Sequence, residues 1–599
     1  MGNFSLTQHR IRSLIFVLAV FFVLFCVRLV QVQAIQAGEY RNRAVNEMEN
    51  TKVLQAPRGS ITDVNGIAFA RSVAAISIVV DQTQISDPVK TSNVIAPILA
   101  LTPAEVRSKI TGTRKWNLVI KNGQPLLWQK LNVALQQYNK AFPAMSPERI
   151  IGFYPERGYI REYPSGSLVA SLIGFVNNDG IGASGLESSK NSLLTGVNGK
   201  YSFASAGGAE IPGSQSEIIS AKAGSGIRLT IERDVQWVAA EAIAQAVKSS
   251  GAVSGTVIVM DPKTGEILAH ATAPTYDPND TSKVSLVDMR NPSVQEVYEP
   301  GSTGKVITLA AAIEEKKVSP NTVFTVPYSL KRSNKTFSDH EKHPTQRLTT
   351  SGILAISSNT GSIKIGELLT NDTLYSYLKK FGVGSSTGSG LQGESSGILR
   401  KVSDWYGTTA ATTAFGQGYS VTALQATSIF ATIANDGIRV SPTVIAGTTD
   451  ASGNFTASPA QSSQRAVSPQ TAQALRLMME SVVSANGTAP SAAIAGYRVA
   501  GKTGTAMRID DKCGCYRGYT ASFIGFAPAD KPAYVISVTI QNPKGQHYGG
   551  TLAGPVFKKV MTFVLQSRHI APTGTSIIPV ALNENELHKK KVANATTAG

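Results

Sequence analysis

The most hydrophobic stretch of the chain lies close to its amino terminus. Residues 14–30 are apolar apart from Arg28. As a helix, this run is about 17 residues or roughly 25 Å long, which nearly spans the hydrocarbon core of a bilayer. The long side chain of Arg28 is able to extend to the far interface. The pattern therefore predicts a membrane-spanning helix.

Two basic residues, Arg10 and Arg12, precede this helix. Because positive residues remain on the cytoplasmic side, they predict a cytoplasmic tail over 1–12, a transmembrane anchor over 13–33 and an external body. The alternative is a cleaved signal peptide, since residues 32–34 resemble a small-residue cleavage site. The apolar run is long for a signal peptide, which favours the retained anchor.

The external part alternates between hydrophobic and polar positions in short runs. Residues 75–80 are typical of a strand, and Gly-rich turns separate such runs. Residues 202–226 consist mainly of Ser, Ala and Gly, which predicts a connection between domains. A chain of 599 residues is too long for one hydrophobic core, so we expect at least two domains.

The carboxyl-terminal half begins and ends with strand patterns. Segments 256–260 and 266–271 predict two strands around a tight turn, and 519–526 and 533–540 predict a second pair. Helical patterns rich in Gly and Ser lie between the two pairs. This order predicts an α+β fold in which both ends complete one antiparallel sheet around an inserted helical lobe.

Charge and cysteine content narrow the possible partners. The net charge is +17, which favours anionic surroundings, but no dense basic stretch with interleaved aromatic residues indicates nucleic acid. The tightest basic run, 589–591, lies in a polar tail over 567–599 that we expect to be disordered. Cys513 and Cys515 are able to close a small disulfide outside the cell, whereas Cys26 lies in the apolar run.

Candidate chemistry begins where Pro300 and Gly301 precede a helical pattern. Ser302 is expected in the first turn of that helix, and Lys305, three residues later, shares its face. A serine hydroxyl needs an adjacent base, and lysine serves as one only if burial or a nearby cation lowers its pKa. Alone, this pair is weak evidence, because a helix cap beside an exposed lysine has the same pattern.

Two further polar motifs follow in the chain. Ser357 and Asn359 supply a hydroxyl and an amide at a spacing that suits a proton relay. Lys502-Thr503-Gly504-Thr505 follows a strand pattern and offers a cation, hydroxyls and a glycine for binding a carboxylate. A second Lys-Thr-Gly at 263–265 precedes the serine and lies in a predicted hairpin turn, so we interpret it as structural.

The three motifs occur in the order Ser-x-x-Lys, Ser-x-Asn and Lys-Thr-Gly, a set that is much more specific than its parts. With them, the chain resembles the class B penicillin-binding proteins, close to the septal, FtsI-type transpeptidases. The resemblance extends from Arg58 to Lys559. Further matching segments are 58–66, 161–164, 174–176, 185–187, 416–422, 548–550 and 555–557. The segment 513–515 is a departure from the family pattern.

This resemblance implies a β-rich pedestal of the penicillin-binding dimerisation type over 35–222 and a β-lactamase-like transpeptidase domain over 225–566. It implies peptidoglycan stem peptides as substrates, β-lactams as covalent inhibitors, and a glycan polymerase of the FtsW type with other divisome proteins as partners. No cofactor and no metal are implied. Alternatives are an elongation-type member of the class, a β-lactamase or a β-lactam sensor.

The resemblance also assigns a role to each motif residue. Ser302 attacks the peptide bond between two D-alanines, Lys305 takes its proton, and Ser357 passes a proton towards the leaving amine beside Asn359. The residues that bind the terminal carboxylate are Lys502 and Thr503, helped by Thr505 next to Gly504. The backbone N–H groups of Ser302 and Thr505 form the oxyanion hole.

Two other apparent motifs are rejected. Residues 384–388 match the hydrolase pattern Gly-x-Ser-x-Gly, but they lie in a Gly-rich loop without the required strand and helix. Residues 340–343 resemble a zinc-binding helix motif, but the second histidine comes one position too early and Pro344 interrupts a helix there.

Overall fold

The computed structural model describes residues 4–40, 49–206, 209–210, 217–282, 284–510 and 513–597. The chain forms two compact units, each assembled from separate segments. The first unit contains Met1–Pro57, Ala74–Tyr159 and Gly196–Ala223. The second contains Arg58–Val73, Ile160–Thr195 and Gly224–Gly599. This division differs from the continuous domains predicted at 35–222 and 225–566.

The amino-terminal helix runs over Phe4–Val30 and continues as a π-helical turn over Gln31–Ile35. Its apolar part, Gln8–Ile35, has 28 residues. At 1.5 Å per residue it is about 42 Å long, which is sufficient to cross a bilayer. It exceeds the predicted 13–33, because helical geometry continues past the apolar residues on both sides.

The first unit combines strands with three helices, two of which have side-chain caps, from Asp87 and Thr102. Its strands are Glu49–Leu54, the end of Ala68–Val80, Asn117–Gly123, the start of Phe153–Glu162, Gly199–Ala206, Ala209–Glu210 and Glu217–Ile219. Its helices are Pro88–Leu99, Pro103–Ile110 and Pro125–Asn139, with a 3-10 turn at Gln82–Gln84. Each helix begins with proline, and Thr102 and Glu105 form a capping box on the second.

The second unit contains the larger core. Its main strands are Ile61–Thr62, Gly226–Leu229, Ser254–Met260, Ile267–Ala273, Val323–Val326, Ser329–Arg332, Lys335–Ser338, Gln346–Thr349, Ile438–Val440, Ile445–Thr449, Phe455–Ala457, Ser463–Arg465, Ala500–Asp510, Cys515–Ala527 and Tyr534–Gln541. Its helices are Ala170–Ile173, Gly185–Ser189, Asn191–Leu194, Arg233–Ser250, Pro292–Gln295, Lys305–Glu314, Thr350–Ala355, Asn359–Gly366, Asn371–Lys380, Thr409–Ala414, Ala423–Ala434, Pro469–Val483, Gly549–Ser567 and Glu584–Thr597. Short 3-10 turns lie at Gly166–Val169, Gly301–Gly304, Val402–Asp404 and Pro490–Ala492.

One five-stranded antiparallel sheet organises this unit. In spatial order its strands are Ile267–Ala273, Ser254–Met260, Tyr534–Gln541, Cys515–Ala527 and Ala500–Asp510. The first two come from the beginning of the domain and the others from its end, which confirms the sequence-based fold. The helix Ala423–Ala434 is buried along its whole length, in agreement with its Ala- and Ile-rich sequence.

The segment around Arg58 belongs to this second unit because its side chains are satisfied there. Ile61 pairs with Ile227 in a short parallel ladder. The carboxylate of Glu187 is fully buried and accepts from Arg58 at 2.6 Å and from Arg161 at 2.7 Å. A buried charge needs such partners, so the matching segments at 58–66, 161–164 and 185–187 form one ion cluster.

The carboxyl-terminal tail also differs from its prediction. The described residues after 567 include the helix Glu584–Thr597, and Ala581 is buried. The N–H of Thr349 donates to the carbonyl of Leu582 at 3.1 Å. A polar composition predicted disorder, but backbone hydrogen bonds to the edge of another strand do not depend on side-chain hydrophobicity.

Candidate active site

The candidate nucleophile lies in a sharp turn. Ser302 is half-buried in the 3-10 turn Gly301–Gly304, and the α-helix proper begins at Lys305. The sequence predicted Ser302 in the first turn of a helix, and that turn is a 3-10 turn that runs directly into the α-helix. Gly301 has φ +54°, a left-handed conformation that favours glycine, so a right-handed helix does not continue across it. The Gly301 N–H donates to the carbonyl of Gly416 at 2.8 Å, which fixes the turn.

Two glycines, which have no side chain, allow the Lys-Thr-Gly strand to lie close to this turn. A Cβ atom on Gly301 would lie 2.9 Å from the Cβ of Ala506. A Cβ on Gly504 would lie 2.3 Å from Ser522 Oγ and 3.2 Å from the carbonyl oxygen of Pro300. Gly504 therefore permits the edge strand Ala500–Asp510 to lie beside Ser302.

The first motif lysine is buried and hydrogen-bonded to the second motif. Lys305 Nζ donates to the Ser357 carbonyl at 2.5 Å and to Asn359 Oδ1 at 2.8 Å, and lies 3.3 Å from Ser357 Oγ. Burial lowers the pKa of Lys305 to about 7, although the charge of Asp339 opposes this. Much of Lys305 is therefore neutral near pH 7, as a general base requires.

The second motif lysine approaches the same hydroxyl from the other side. Lys502 Nζ donates to Ser357 Oγ at 2.8 Å and lies 3.3 Å from Thr503 Oγ1. Burial, and then the charge of Lys305, hold the pKa of Lys502 well below its ordinary value. Ser357 Oγ thus lies between two amines and is able to accept a proton from one while it donates to the other.

Ser357 itself has an unusual backbone conformation. Its φ is +61°, and it follows the helix Thr350–Ala355. The N–H of Ser358 donates to the carbonyl of Ile353, and the N–H of Ser357 donates to that of Leu354. These bonds define a Schellman motif, in which the left-handed position is usually glycine. A serine at this position points to a need for the hydroxyl rather than for stability.

Substitutions of Ser357 test the effect of its backbone strain on stability separately from the effect of its hydroxyl on acylation. We expect Ser357→Gly to be more stable than Ser357→Ala, because both lose the hydroxyl but glycine relieves about 1 kcal/mol of left-handed strain. We expect its acylation by a fluorescent penicillin to fall by about 10²–10⁴, as for loss of a proton-transfer group. Ser357→Ala should lose the same activity and have a lower melting temperature than Ser357→Gly. Wild-type acylation of Ser357→Gly would remove this hydroxyl from the proton path.

The carboxylate of Asp339 holds the Ser-x-Asn loop, and sequence analysis missed it. It accepts from the N–H groups of Asn359 at 2.5 Å and Thr360 at 2.9 Å. It also accepts from Ser358 Oγ at 2.6 Å and lies 3.0 Å from His343 Nε2. Asp339 directly precedes the rejected histidine pattern at 340–343, and His343 is part of that pattern. No local pattern indicated that this segment folds back onto Asn359.

The Lys-Thr-Gly segment has further hydrogen-bond partners. The hydroxyls of Thr503 and Thr488 are 2.8 Å apart, and Thr488 is a second residue that the sequence did not indicate. Thr505 Oγ1 accepts from the N–H of Gly549 at 3.2 Å. The hydroxyls beside Lys502 are therefore already oriented by hydrogen bonds.

Two family models match most of this chain. The family model described as "Penicillin binding protein transpeptidase domain" matches residues 255–562, and the one described as "Penicillin-binding Protein dimerisation domain" matches residues 53–229. The chain belongs to the class B penicillin-binding proteins. This confirms the family that the three motifs predicted.

Individual relatives cover almost the whole chain. Penicillin-binding protein PbpB of Mycolicibacterium smegmatis is 34% identical over 94% of this chain and 91% of its own length. Peptidoglycan D,D-transpeptidase FtsI of Escherichia coli is 31% identical over 90% of this chain and 87% of its own length. The crystal structure of penicillin binding protein 3 from Mycobacterium tuberculosis, complexed with aztreonam, matches with a TM-score of 0.69 at 31% identity. It covers 89% of this chain and 100% of that chain.

The rejected motifs do not form sites in this penicillin-binding protein. Residues 263–265 lie in a hairpin turn closed by a hydrogen bond from the Gly265 N–H to the Asp261 carbonyl. Residues 384–388 form a loop, and residues 340–343 are not helical. Within the described part of the chain, no group of three His, Cys, Asp or Glu residues could hold a metal ion.

Cys513 and Cys515 form the disulfide that the sequence allowed. Their Cα atoms are 5.2 Å apart. The bond lies at the tip of the hairpin between Ala500–Asp510 and Cys515–Ala527. The next residue, Tyr516, donates its hydroxyl to the carboxylate of Glu299 at 3.0 Å. The hairpin tip thus contacts the segment that leads to Ser302.

Proposed function

We propose that this class B penicillin-binding protein cross-links peptidoglycan stem peptides through an acyl-enzyme on Ser302. The hydrogen-bonded array of Lys305, Ser357, Asn359 and Lys502 beside the nucleophile turn carries this proposal. A serine next to a buried, partly neutral lysine is a nucleophile with its base. Within the described residues, the Ser302 hydroxyl has no hydrogen-bond partner, so it is free to turn towards a carbonyl.

The acylation step uses these groups in sequence. Ser302 Oγ bonds to the carbonyl carbon of the penultimate D-alanine as Lys305 accepts its proton, and the N–H groups of Ser302 and Thr505 stabilise the oxyanion. The C–N bond then breaks, and Ser357 passes its proton to the leaving D-alanine amine. Lys305 Nζ, 3.3 Å from Ser357 Oγ, returns the proton taken from Ser302 to Ser357. An amine of a neighbouring stem peptide attacks the ester, which forms the cross-link and returns the proton to Ser302.

In this proposal, the edge strand Ala500–Asp510 binds the substrate. The terminal carboxylate of the stem peptide accepts from Thr503 and Thr505 beside Lys502. Gly504 lets this strand lie against the turn that carries Ser302. β-Lactams resemble this D-alanyl-D-alanine end and would acylate Ser302. The solved complexes of the M. tuberculosis relative with aztreonam and ampicillin support this inference.

The cellular role follows from the relatives and from the anchor. FtsI and PbpB are the names of relatives that match along almost the whole chain, which favours septal synthesis over an elongation role. We infer a cytoplasmic amino terminus and an external catalytic domain, because Arg10 and Arg12 precede the apolar helix. Arg28 within this helix favours shelter by a neighbouring membrane protein, for which an FtsW-type glycan polymerase is the candidate.

A helix exchange tests this role. Replacing residues 11–33 with an unrelated membrane helix should restore anchoring and penicillin labelling but not full division, measured by complementation of a depleted strain. A version that starts near Gly38 should be soluble and acylated but inactive in cells. Full complementation by the exchanged helix would mean that the native segment is only a tether, whereas absent labelling of the wild type would contradict the transpeptidase assignment.

A further inference from the structure

The end of the chain adds an extra strand-like segment next to the catalytic motifs. We name residues 581–584 the C-terminal strap. Asn583 forms an antiparallel bridge with Leu348 at the edge of the strand Gln346–Thr349. Glu584 accepts two hydrogen bonds from Arg347, at 2.9 and 3.1 Å. The strap therefore extends the two-stranded sheet that precedes the Ser-x-Asn segment.

Thr349 connects the strap to the helix that delivers Ser357. Its hydroxyl donates to the carbonyl of Ala581 at 2.6 Å, and its N–H donates to that of Leu582 at 3.1 Å. The same hydroxyl oxygen accepts from the N–H of Gly352 at 2.9 Å, as the N-cap of the helix Thr350–Ala355. The strap thus fixes the hydroxyl rotamer that caps this helix.

Gly352 shows that the helix surface fits the strap closely. A Cβ atom at this position would lie 1.8 Å from the carbonyl oxygen of Leu582. Glycine in a helix normally costs about 1 kcal/mol relative to alanine, and its backbone here is not left-handed. The close approach of the strap is therefore the local reason for this glycine.

The capped helix ends at the proton relay. All residues of Thr350–Ala355 are buried, and the Schellman turn places Ser357 and Asn359 within one turn of its end. A six-residue buried helix has little capacity to absorb a shift of its cap, since packed cores are not continuously deformable. A displacement at Thr349 is expected to reach the Ser357 hydroxyl.

We propose that the C-terminal strap is a detachable positioning element, which aligns Ser357 and Asn359 with Lys305 and sets the rate of acylation. It is preorganised by its own contacts, because the N–H of Leu582 donates to Glu586 Oε2 at 2.7 Å and Asn583 Oδ1 accepts from the Glu586 N–H at 2.9 Å. The strap is able to separate from the strand Gln346–Thr349, because the ion pair of Arg347 and Glu584 that joins them is accessible to water and therefore weak. This inference rests on the proposed role of Ser357.

The test compares acylation of the full chain with that of a chain ending at Val580. Stopped-flow labelling with fluorescent penicillin should show a limiting acylation rate about 10- to 100-fold lower in the shortened chain, with a similar concentration dependence. A synthetic peptide of residues 577–597, added in trans, should restore the rate. A wild-type rate in the shortened chain, or a folded shortened chain that the peptide does not restore, overturns the proposal.

A full-length variant decides the question if the shortened chain does not fold. Gly352→Ala should expel the strap yet retain the helix, so acylation should slow while the melting temperature stays near the wild-type value. Amide exchange at Thr349, whose N–H donates to the carbonyl of Leu582, should increase. Gly574→Ala is the matched control, because its added Cβ meets nothing within 4 Å. Fast acylation of Gly352→Ala overturns the proposal. Unlabelled wild type would instead contradict the function assigned to Ser302.

Discussion

Ser302→Ala should abolish covalent labelling by fluorescent penicillin while it leaves the melting temperature almost unchanged. Loss of a nucleophile typically lowers turnover by about 10⁴–10⁶. Thr303, the other hydroxyl of this turn, is buried and donates to the carbonyl of Pro300 at 2.8 Å, so it does not replace Ser302. Among the residues that the structure describes, none bonds to the half-buried Ser302 hydroxyl, so alanine should cost little stability. Gel fluorescence after incubation with the labelled drug measures this result directly.

The chain contains a matched control for this experiment. Ser386 is the central serine of the Gly-x-Ser-x-Gly pattern at 384–388, and its hydroxyl donates to Glu394 at 2.9 Å. Ser386→Ala should label like the wild type. If labelling survives in Ser302→Ala and disappears in Ser386→Ala, the nucleophile lies in that loop and the assignment of the active site is incorrect.

The order of strands along the chain was sufficient to predict the transpeptidase sheet. The pairs at 256–260 with 266–271 and at 519–526 with 533–540 each carry strong strand patterns, and only one sheet accommodates both. The sequence predicted a helix start at Ser302, but it did not predict that the first turn is a 3-10 turn and that the α-helix proper begins at Lys305. Local patterns identify elements reliably, whereas the first turn of a helix depends on contacts such as that from Gly301 to Gly416.

The sequence could not indicate hydrogen-bond partners of the site residues that lie far from them along the chain. Asp339 holds Asn359 through a loop that has no periodic pattern, and Thr488 contacts Thr503 from a different element. The C-terminal strap uses backbone carbonyls, which every residue carries, so its composition predicted a disordered tail. Side-chain chemistry is visible in a sequence, but backbone complementarity appears only after folding.

Lys305→Met should reduce acylation by about 10²–10⁴, because methionine fills a similar volume and cannot accept a proton. In the wild type, burial lowers the pKa of Lys305 to about 7, so the acylation rate should rise as pH increases through this value and the amine loses its proton. At 1.5 pH units below the midpoint, about 3% of the amine is neutral, and the rate should fall roughly thirtyfold. This rise should be absent in Lys305→Met.

Two further lysine variants make the assignment specific. Lys502→Ala should also slow acylation, through weaker carboxylate binding and loss of the donor to Ser357 Oγ, but the rate should keep its dependence on pH. Lys263→Ala changes the lysine of the hairpin turn, which is exposed, and should behave like the wild type. Stopped-flow rates from pH 5.5 to 9 distinguish these cases. Small and equal effects in Lys305→Met and Lys502→Ala would mean that neither amine accepts the proton of Ser302. A pH rise that persists in Lys305→Met would assign the titrating base to another residue.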